Sequence, residues 1–303
     1  MKEKVKIVEV GPRDGLQNEA KLLSVQDRVE LIRILIEAGL RFLEGGSFVS
    51  PKAIPQMADS EKVWEALKSE KVDLSFLVPN EKGLQRALTA EVKSISVFTA
   101  ASDSFNQKNI GMTVDESLRV IQSMLVRKKD LKGIKIRGYI STAFGCPYEG
   151  FQDPKKTVEV AEKLLKLGCS EVSIGDTIGV AHYSQVQEML KLLKKKVGLK
   201  KIAMHFHDTR GAALTNIKAA LDAGIRIFDS SIGGLGGCPY AVGSSGNVAT
   251  EEVVWLLEGA GFQTGVSIEK LLQASKWIES KIERGLKSKL YLSKPTRLFF
   301  GKR

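Results

Sequence analysis

The chain has 303 residues, 43% of them hydrophobic and 27% charged, the balance of a globular protein and not of a disordered or fibrous one. No apolar run reaches the roughly 18 residues that a membrane-spanning helix needs, so no membrane partner is expected. The net charge of +11 is concentrated, since residues 281–303 hold eight Lys/Arg against one acid, Glu283. Such a tail raises encounter with polyanions. Neither interleaved aromatics nor a nucleic-acid-binding motif accompanies it, so nucleic acid is not expected as a partner and a solvated surface is the preferred reading. Three scattered cysteines, Cys146, Cys169 and Cys238, make no disulfide framework. The first strand is expected within five residues of Met1, leaving no room for a leader, and a cytoplasmic protein is expected.

Strand-like runs alternate with helical spacing along the chain. Lys4–Val10 reads as a strand and Val25–Ala38 as a helix stopped by Gly39. The strand and helix pairs that follow are Arg41–Glu44 with Ser60–Ser69, Val72–Val78 with Glu81–Ala90, and Ser94–Phe98 with Val114–Val126. Then come Ile134–Ser141 with Pro154–Leu167, Glu171–Ile174 with Tyr183–Lys196, Lys201–Phe206 with Ala212–Ala223, and Ile225–Ser230 with Ala249–Gly259. Eight β/α units in about 260 residues predict an α/β protein, a (β/α)8 TIM barrel. No G-x-G-x-x-G follows the first strand, which weakens an open dinucleotide-binding sheet. Val266–Lys287 is helical again. The expectation is therefore one catalytic domain over 1–303, with the barrel at about 4–260 and a helical C-terminal extension at about 264–303.

Two of the three histidines fall in Met204-His205-Phe206-His207-Asp208. On a strand, alternate side chains share a face, so His205 and His207 point one way and Phe206 the other. Taken alone, the pair suits a metal site and a buried hydrogen-bonded strand equally. The barrel weighs between them, because its active site forms where strands end. Arg13, Asp14 and Gln17 follow strand one there, and Glu44 ends strand two with Ser47 after it. The histidines end strand seven, and Gly233–Gly237, Cys238 and Asn247 follow strand eight. So many polar groups on one rim are costly to bury without a use, which favours the metal. Two imidazoles, Asp14 and a neutral amide or carbonyl oxygen form a mixed nitrogen and oxygen set without thiolate. Such a set favours Mg²⁺ or Mn²⁺, with Zn²⁺ in an open catalytic site less favoured.

Several of these segments carry a resemblance. Val-Glu-Val-Gly-Pro-Arg-Asp-Gly-Leu-Gln-Asn-Glu (8–19), Ser-Phe-Val-Ser-Pro-Lys (47–52), Gly-Cys-Pro-Tyr-Glu-Gly (145–150), Gly-Asp-Thr-Ile-Gly (175–179), His-Phe-His-Asp-Thr (205–209) and Gly-Leu-Gly-Gly-Cys-Pro-Tyr-Ala (234–241) resemble the 3-hydroxy-3-methylglutaryl-CoA lyase family of the DRE-TIM metallolyases. The resemblance implies that Asp14, His205, His207 and Asn247 are metal ligands. It implies that Arg13 faces the substrate with Glu44 as its acidic partner, and that Cys238 is catalytic on a mobile glycine-rich loop. Gln17 and Ser47 are expected to bind substrate. The implied reaction cleaves 3-hydroxy-3-methylglutaryl-CoA to acetyl-CoA and acetoacetate, and the implied assembly is a homodimer. The runner-up readings are a lyase for a longer 3-hydroxy-3-alkylglutaryl-CoA and an acyl-CoA condensing synthase of the same superfamily.

Carbon–carbon cleavage requires loss of the proton on the tertiary hydroxyl, and Asp14 or His205 is the expected base. Arg13 suits the charge that develops on the thioester oxygen, and Cys238 suits protonation of the carbanion. Cys146 and Cys169 are expected to be structural, and His182 to sit at the surface or at a helix start. Glu251, Asp176 and Ser173 are expected to support a ligand. Three departures from the family stand out. Gly45-Gly46 replaces a frequent Thr-Thr and is expected to loosen the rim or alter the fit around the acyl group. Arg210 replaces Tyr, and the basic tail has no counterpart, so CoA phosphate contacts are not carried over.

Overall fold

The computed structural model describes residues 2–126, 130–237 and 246–294. Its principal strands are β1 (Lys6–Glu9), β2 (Phe42–Ser47), β3 (Asp73–Leu77), β4 (Ser94–Ala100), β5 (Lys135–Ser141), β6 (Glu171–Asp176), β7 (Ile202–Phe206) and β8 (Ile227–Ser230). Each pairs in parallel with its neighbours in sequence, and β8 pairs with β1 to close the barrel. The strands are buried almost throughout, because helices cover the outer face and side chains fill the inner one. Helices start on side-chain caps where the sequence offers them. Ser24 accepts from Asp27 N–H at the head of Val25–Glu37, and Asn80 accepts from Gly83 N–H at the head of Glu81–Thr89.

The structure departs from the sequence expectation in four places. Strand two does not stop at Glu44; it continues to Ser47 through a register shift between Glu44 and Gly46. Gly45 and Gly46 do not loosen this stretch. A Cβ on Gly46 would lie 2.5 Å from Ser60 Oγ and 2.9 Å from an Arg28 guanidinium nitrogen, so a threonine would not fit the observed packing. A helix over Asp103–Ile110 follows β4, and a short hairpin pairs Gly145–Cys146 with Gly150–Phe151; neither was expected. The helical tract 266–287 is one helix, Ile268–Ile282, ended by Glu283 at φ 57°, with a further helical turn over Lys289–Leu292.

The basic tail is also not merely a solvated surface. Lys281 pairs with Asp27 at 2.6 Å, Arg284 pairs with the largely buried Glu19, and Lys289 pairs with Asp208 at 3.2 Å. These charges fasten the extension to the barrel. Residues 295–303 lie outside the described residues.

The Ile268–Ile282 helix packs on the Val25–Glu37 and Thr250–Gly259 helices, and its Leu271 and Ala274 are fully buried. Barrel and extension are thus expected to unfold as one unit. Leu271→Ala is expected to cost about 2–5 kcal/mol and to lower the midpoint of a single thermal transition. A separate low-temperature transition in the variant would mean that the extension is an independent unit.

Candidate active site

The chain after β1 forms one tight turn of π-helix, Gly11–Gly15, which presents Arg13 and Asp14 together. Glu9, fully buried on β1, fixes the base of this turn. Its Oε1 accepts from Gly11 N–H at 2.8 Å and Ile232 N–H at 2.9 Å, and its Oε2 accepts from the Thr250 hydroxyl at 2.7 Å. One carboxylate therefore ties the Arg13-Asp14 turn to the segment after β8.

Arg13 lies between two acids. Its Nε donates to Glu44 Oε2 at 2.7 Å and its Nη1 donates to Asp14 Oδ1 at 2.8 Å. The Ser96 hydroxyl takes the other Glu44 oxygen at 3.0 Å. Burial opposes the guanidinium charge, but Glu44 and Asp14 outweigh it and hold the Arg13 pKa above its ordinary value. Glu44 thus stands behind Arg13 and orients it. Gln17 Nε2 donates to Asp14 Oδ1 at 3.1 Å.

Across the rim, donor atoms of Asp14, His205 and His207 lie within 4.8 Å of one another. The histidine ring centroids are 5.3 Å apart. Asn247 joins them through backbone pairing of its segment with β7: Asp208 N–H donates to Gly246 C=O and Val248 N–H to Phe206 C=O. That approach requires glycine, since a Cβ on Gly246 would sit 1.8 Å from Gly236 C=O. Asn247 Nδ2 donates to Asp14 Oδ2 at 2.8 Å and to Leu235 C=O at 3.1 Å, which leaves Oδ1 as its available donor atom.

Asp14, His205 and His207 are spaced to hold a divalent cation, with Asn247 beside Asp14. His207 Nδ1 is buried and has no hydrogen-bond partner among the described residues, which is unusual for an imidazole unless a ligand completes it. Burial and the neighbouring His205 push the His207 pKa down to about 3, so the ring is neutral as a ligand must be. Burial works against ionisation of Asp14, but Arg13 and the two imidazoles overcome it and lower its pKa. His205 is raised, against burial, by the adjacent Asp229.

These groups open onto a cavity of about 730 Å³. Arg13, Asp14, Gln17, Ser47, His205 and His207 line its polar part, and Leu77, Phe98 and Phe105 contribute an apolar wall. Ser47 lines the cavity while its hydroxyl donates to Leu77 C=O at 3.2 Å. Cys238 lies outside the described residues. The preceding Gly237 is held by Asn18 Nδ2, which donates to its C=O at 2.9 Å.

The supporting residues divide. Ser173 donates to Asp229 Oδ2 at 2.7 Å and so stands one residue removed from His205. Asp176 instead accepts from Val180 and Ala181 N–H and shapes the loop after β6. Glu251 does not support Asn247; it accepts from Gly233 N–H and the Ser275 hydroxyl, at the start of the glycine-rich loop. His182 sits at the N-cap position of the Tyr183–Lys196 helix, where its backbone N–H donates to Gln185 Oε1 at 2.9 Å. Cys146 is buried and accepts from the Ser102 hydroxyl, and burial pushes the Cys169 thiol up to about 12. Arg210 holds the loop after β6 through the carbonyls of Ile178 and Gly179. Sequence reasoning missed Glu9, Arg137 and Asp229. The signal available for each was an ionisable residue inside an apolar strand.

Fold and site together define a (β/α)8-barrel protein with a candidate metal-binding rim. The chain belongs to the HMGL-like family, whose profile matches residues 4–278. It is 47% identical over 289 residues to the mitochondrial hydroxymethylglutaryl-CoA lyase of Bos taurus, covering 95% of this chain and 89% of that one. It is 44% identical to the hydroxymethylglutaryl-CoA lyase of Pseudomonas mevalonii, covering 97% of each. The crystal structure of the Pseudomonas aeruginosa hydroxymethylglutaryl-CoA lyase superposes with a TM-score of 0.93 at 44% identity, covering 97% of this chain and 98% of that one.

Burial pushes the Glu9 pKa from an ordinary 4.5 up to about 7, partly offset by the Thr250, Ile232 and Gly11 hydrogen bonds. The folded state therefore favours the protonated form. The resulting stability is present below pH 4.5 and is lost as pH rises through 7, on the order of 3 kcal/mol in all. Glu9→Gln keeps one acceptor oxygen for Gly11 and Ile232 N–H and removes the titration. Urea unfolding at about pH 5 and about pH 8 is expected to show a smaller loss in the variant than in the wild type; equal losses would mean that Glu9 does not titrate in this window.

Proposed function

We propose that this protein is a divalent-metal-dependent carbon–carbon lyase that cleaves 3-hydroxy-3-methylglutaryl-CoA to acetyl-CoA and acetoacetate. The observation that carries this reading is the convergence of Arg13, Asp14, His205 and His207 on one cavity, in a chain 44–47% identical to hydroxymethylglutaryl-CoA lyases. Asp14, His205, His207 and Asn247 would hold the cation. Mg²⁺ or Mn²⁺ is favoured over Zn²⁺ because the set lacks a thiolate. Bound there, the cation would supply Lewis acidity to the tertiary hydroxyl of the substrate.

The chain's own residues do the rest. Asp14 or His205 takes the hydroxyl proton. Arg13, oriented by Glu44, holds the negative charge that moves onto the thioester oxygen as the bond breaks. Cys238 then donates the proton that converts the carbanion to acetyl-CoA. Gln17 and Ser47 contact the acyl-CoA substrate in the same cavity. The apolar wall shields the reacting carbons from water.

Among the described residues no helix is long and apolar enough to cross a membrane. Free thiols at Cys146 and Cys169 suit a reducing compartment, and the cytoplasm is the proposed location; the Bos taurus relative is named as mitochondrial. Assembly as a homodimer rests on the family resemblance.

The central test incubates purified protein with Mg²⁺ or Mn²⁺ and 3-hydroxy-3-methylglutaryl-CoA and measures acetoacetate. Formation of acetoacetate, abolished by chelator, is expected; none with either metal would sink the reading. Arg13→Gln is expected to lower kcat by ~10²–10³-fold, the cost typical of losing an oxyanion donor. Cys238→Ser is expected to cut turnover while Mn²⁺ affinity stays at its wild-type value, and undiminished turnover would remove Cys238 from the proton transfer.

A further inference from the structure

We infer that Asp229 is a positioning residue for His205, holding its ring in the one tautomer and orientation that offers Nε2 to the cavity. This inference rests on the metal-site reading above and adds to it a residue outside the ligand set.

Asp229 and His205 are register partners on the adjacent strands β8 and β7, so the backbone pairing fixes their side-chain approach. Asp229 Oδ2 lies 3.3 Å from His205 Nδ1 and also accepts from the Ser173 hydroxyl at 2.7 Å. Its Oδ1 accepts from Arg137 Nη2 at 2.6 Å. The Asp229 side chain has no exposure to solvent, and Arg137 is nearly as buried. Arg137 is itself held: its Nη1 donates to the Tyr139 hydroxyl at 2.6 Å, and its Nε lies 2.8 Å from Glu171, which pairs with Lys6 at 2.9 Å. A run of alternating charges thus extends through the barrel interior from Lys6 to the imidazole.

A carboxylate so fixed accepts a hydrogen bond from Nδ1–H. That leaves the Nε2 lone pair free on a ring that lines the cavity. The two imidazoles are unlike in this respect, because His207 Nδ1 has no partner among the described residues.

The chain has only three histidines, which makes the tautomer directly readable. The metal-free, full-length protein is labelled with ¹⁵N-histidine and observed by NMR at alkaline pH, with His182→Asn and His207→Gln assigning the signals. Wild-type His205 is expected to carry its proton on Nδ1. Asp229→Asn is expected to move that proton toward Nε2 and to weaken Mn²⁺ affinity by ~10–100-fold in calorimetric titration, while Ser173→Ala keeps the wild-type tautomer. A merely structural Asp229 would change the melting temperature without moving the proton. A proton on Nε2 of His205 in the wild type overturns the inference, whether or not Asp229→Asn folds. So does a variant with wild-type tautomer and wild-type affinity. If the wild type binds no Mn²⁺, the metal-site reading fails, and the tautomer signature still judges Asp229.

Discussion

A buried guanidinium between two carboxylates is the interaction on which the rim depends. Arg13 has left water almost completely, and without Asp14 and Glu44 its charge would be prohibitive at that depth. Its presence therefore constrains everything around it. Glu44 faces Arg13 with one oxygen and accepts from the Ser96 hydroxyl on the other. Asp14 must face Arg13 with one oxygen, which leaves the other for Asn247. The same physics is repeated lower in the barrel, where Arg137 lies between Asp229 and Glu171. Each arginine uses one acid to fix its own position and a second to reach the site: Arg13 through Asp14, Arg137 through Asp229 and His205.

Barrel closure brings these groups together. Asp14 and Asn247 are 233 residues apart in sequence and 2.8 Å apart at their side chains, because β8 pairs with β1. Glu9 secures that seam by accepting hydrogen bonds from the segments that follow both strands. The precision of the rim is thus a property of rigid strands, while the glycine-rich segment from Gly233 onward supplies the close approaches that a Cβ would forbid. Such a division suits an enzyme that must hold polar groups fixed and still admit a large acyl-CoA.

Much of this is legible in the sequence alone. The eight β/α units are written in apolar periodicity and in glycine stops such as Gly168 and Gly224, and their order predicts the barrel. The His-x-His alternation and the polar residues at strand ends locate the rim. The segments missed are those whose pattern is weak. The Asp103–Ile110 helix buries only Phe105 and Asn106, so no amphipathic stripe announces it. The Gly145–Phe151 hairpin has two residues in each strand, too few for alternation to show. The continuation of β2 through Gly45-Gly46 runs against strand propensity and is set by packing on Ser60, Arg28, Leu74 and Phe76.

By itself the sequence determined the class of fold, the end of the barrel where chemistry belongs and, with the family resemblance, the residues that could act as ligands, because fold and rim follow from periodicity, spacing and residue type. Only the tertiary structure decided which of those residues meet and what stands behind them. Glu44 is placed behind Arg13, Glu251 under the glycine-rich loop and not beside Asn247, and the basic tail in ion pairs with Glu19, Asp27 and Asp208. Asp229, a single acid in a short apolar strand, acquires its meaning only when strand register sets it against His205. The reason is physical: hydrogen bonds and ion pairs act over a few ångströms, and proximity between residues far apart in sequence is created by closing the barrel.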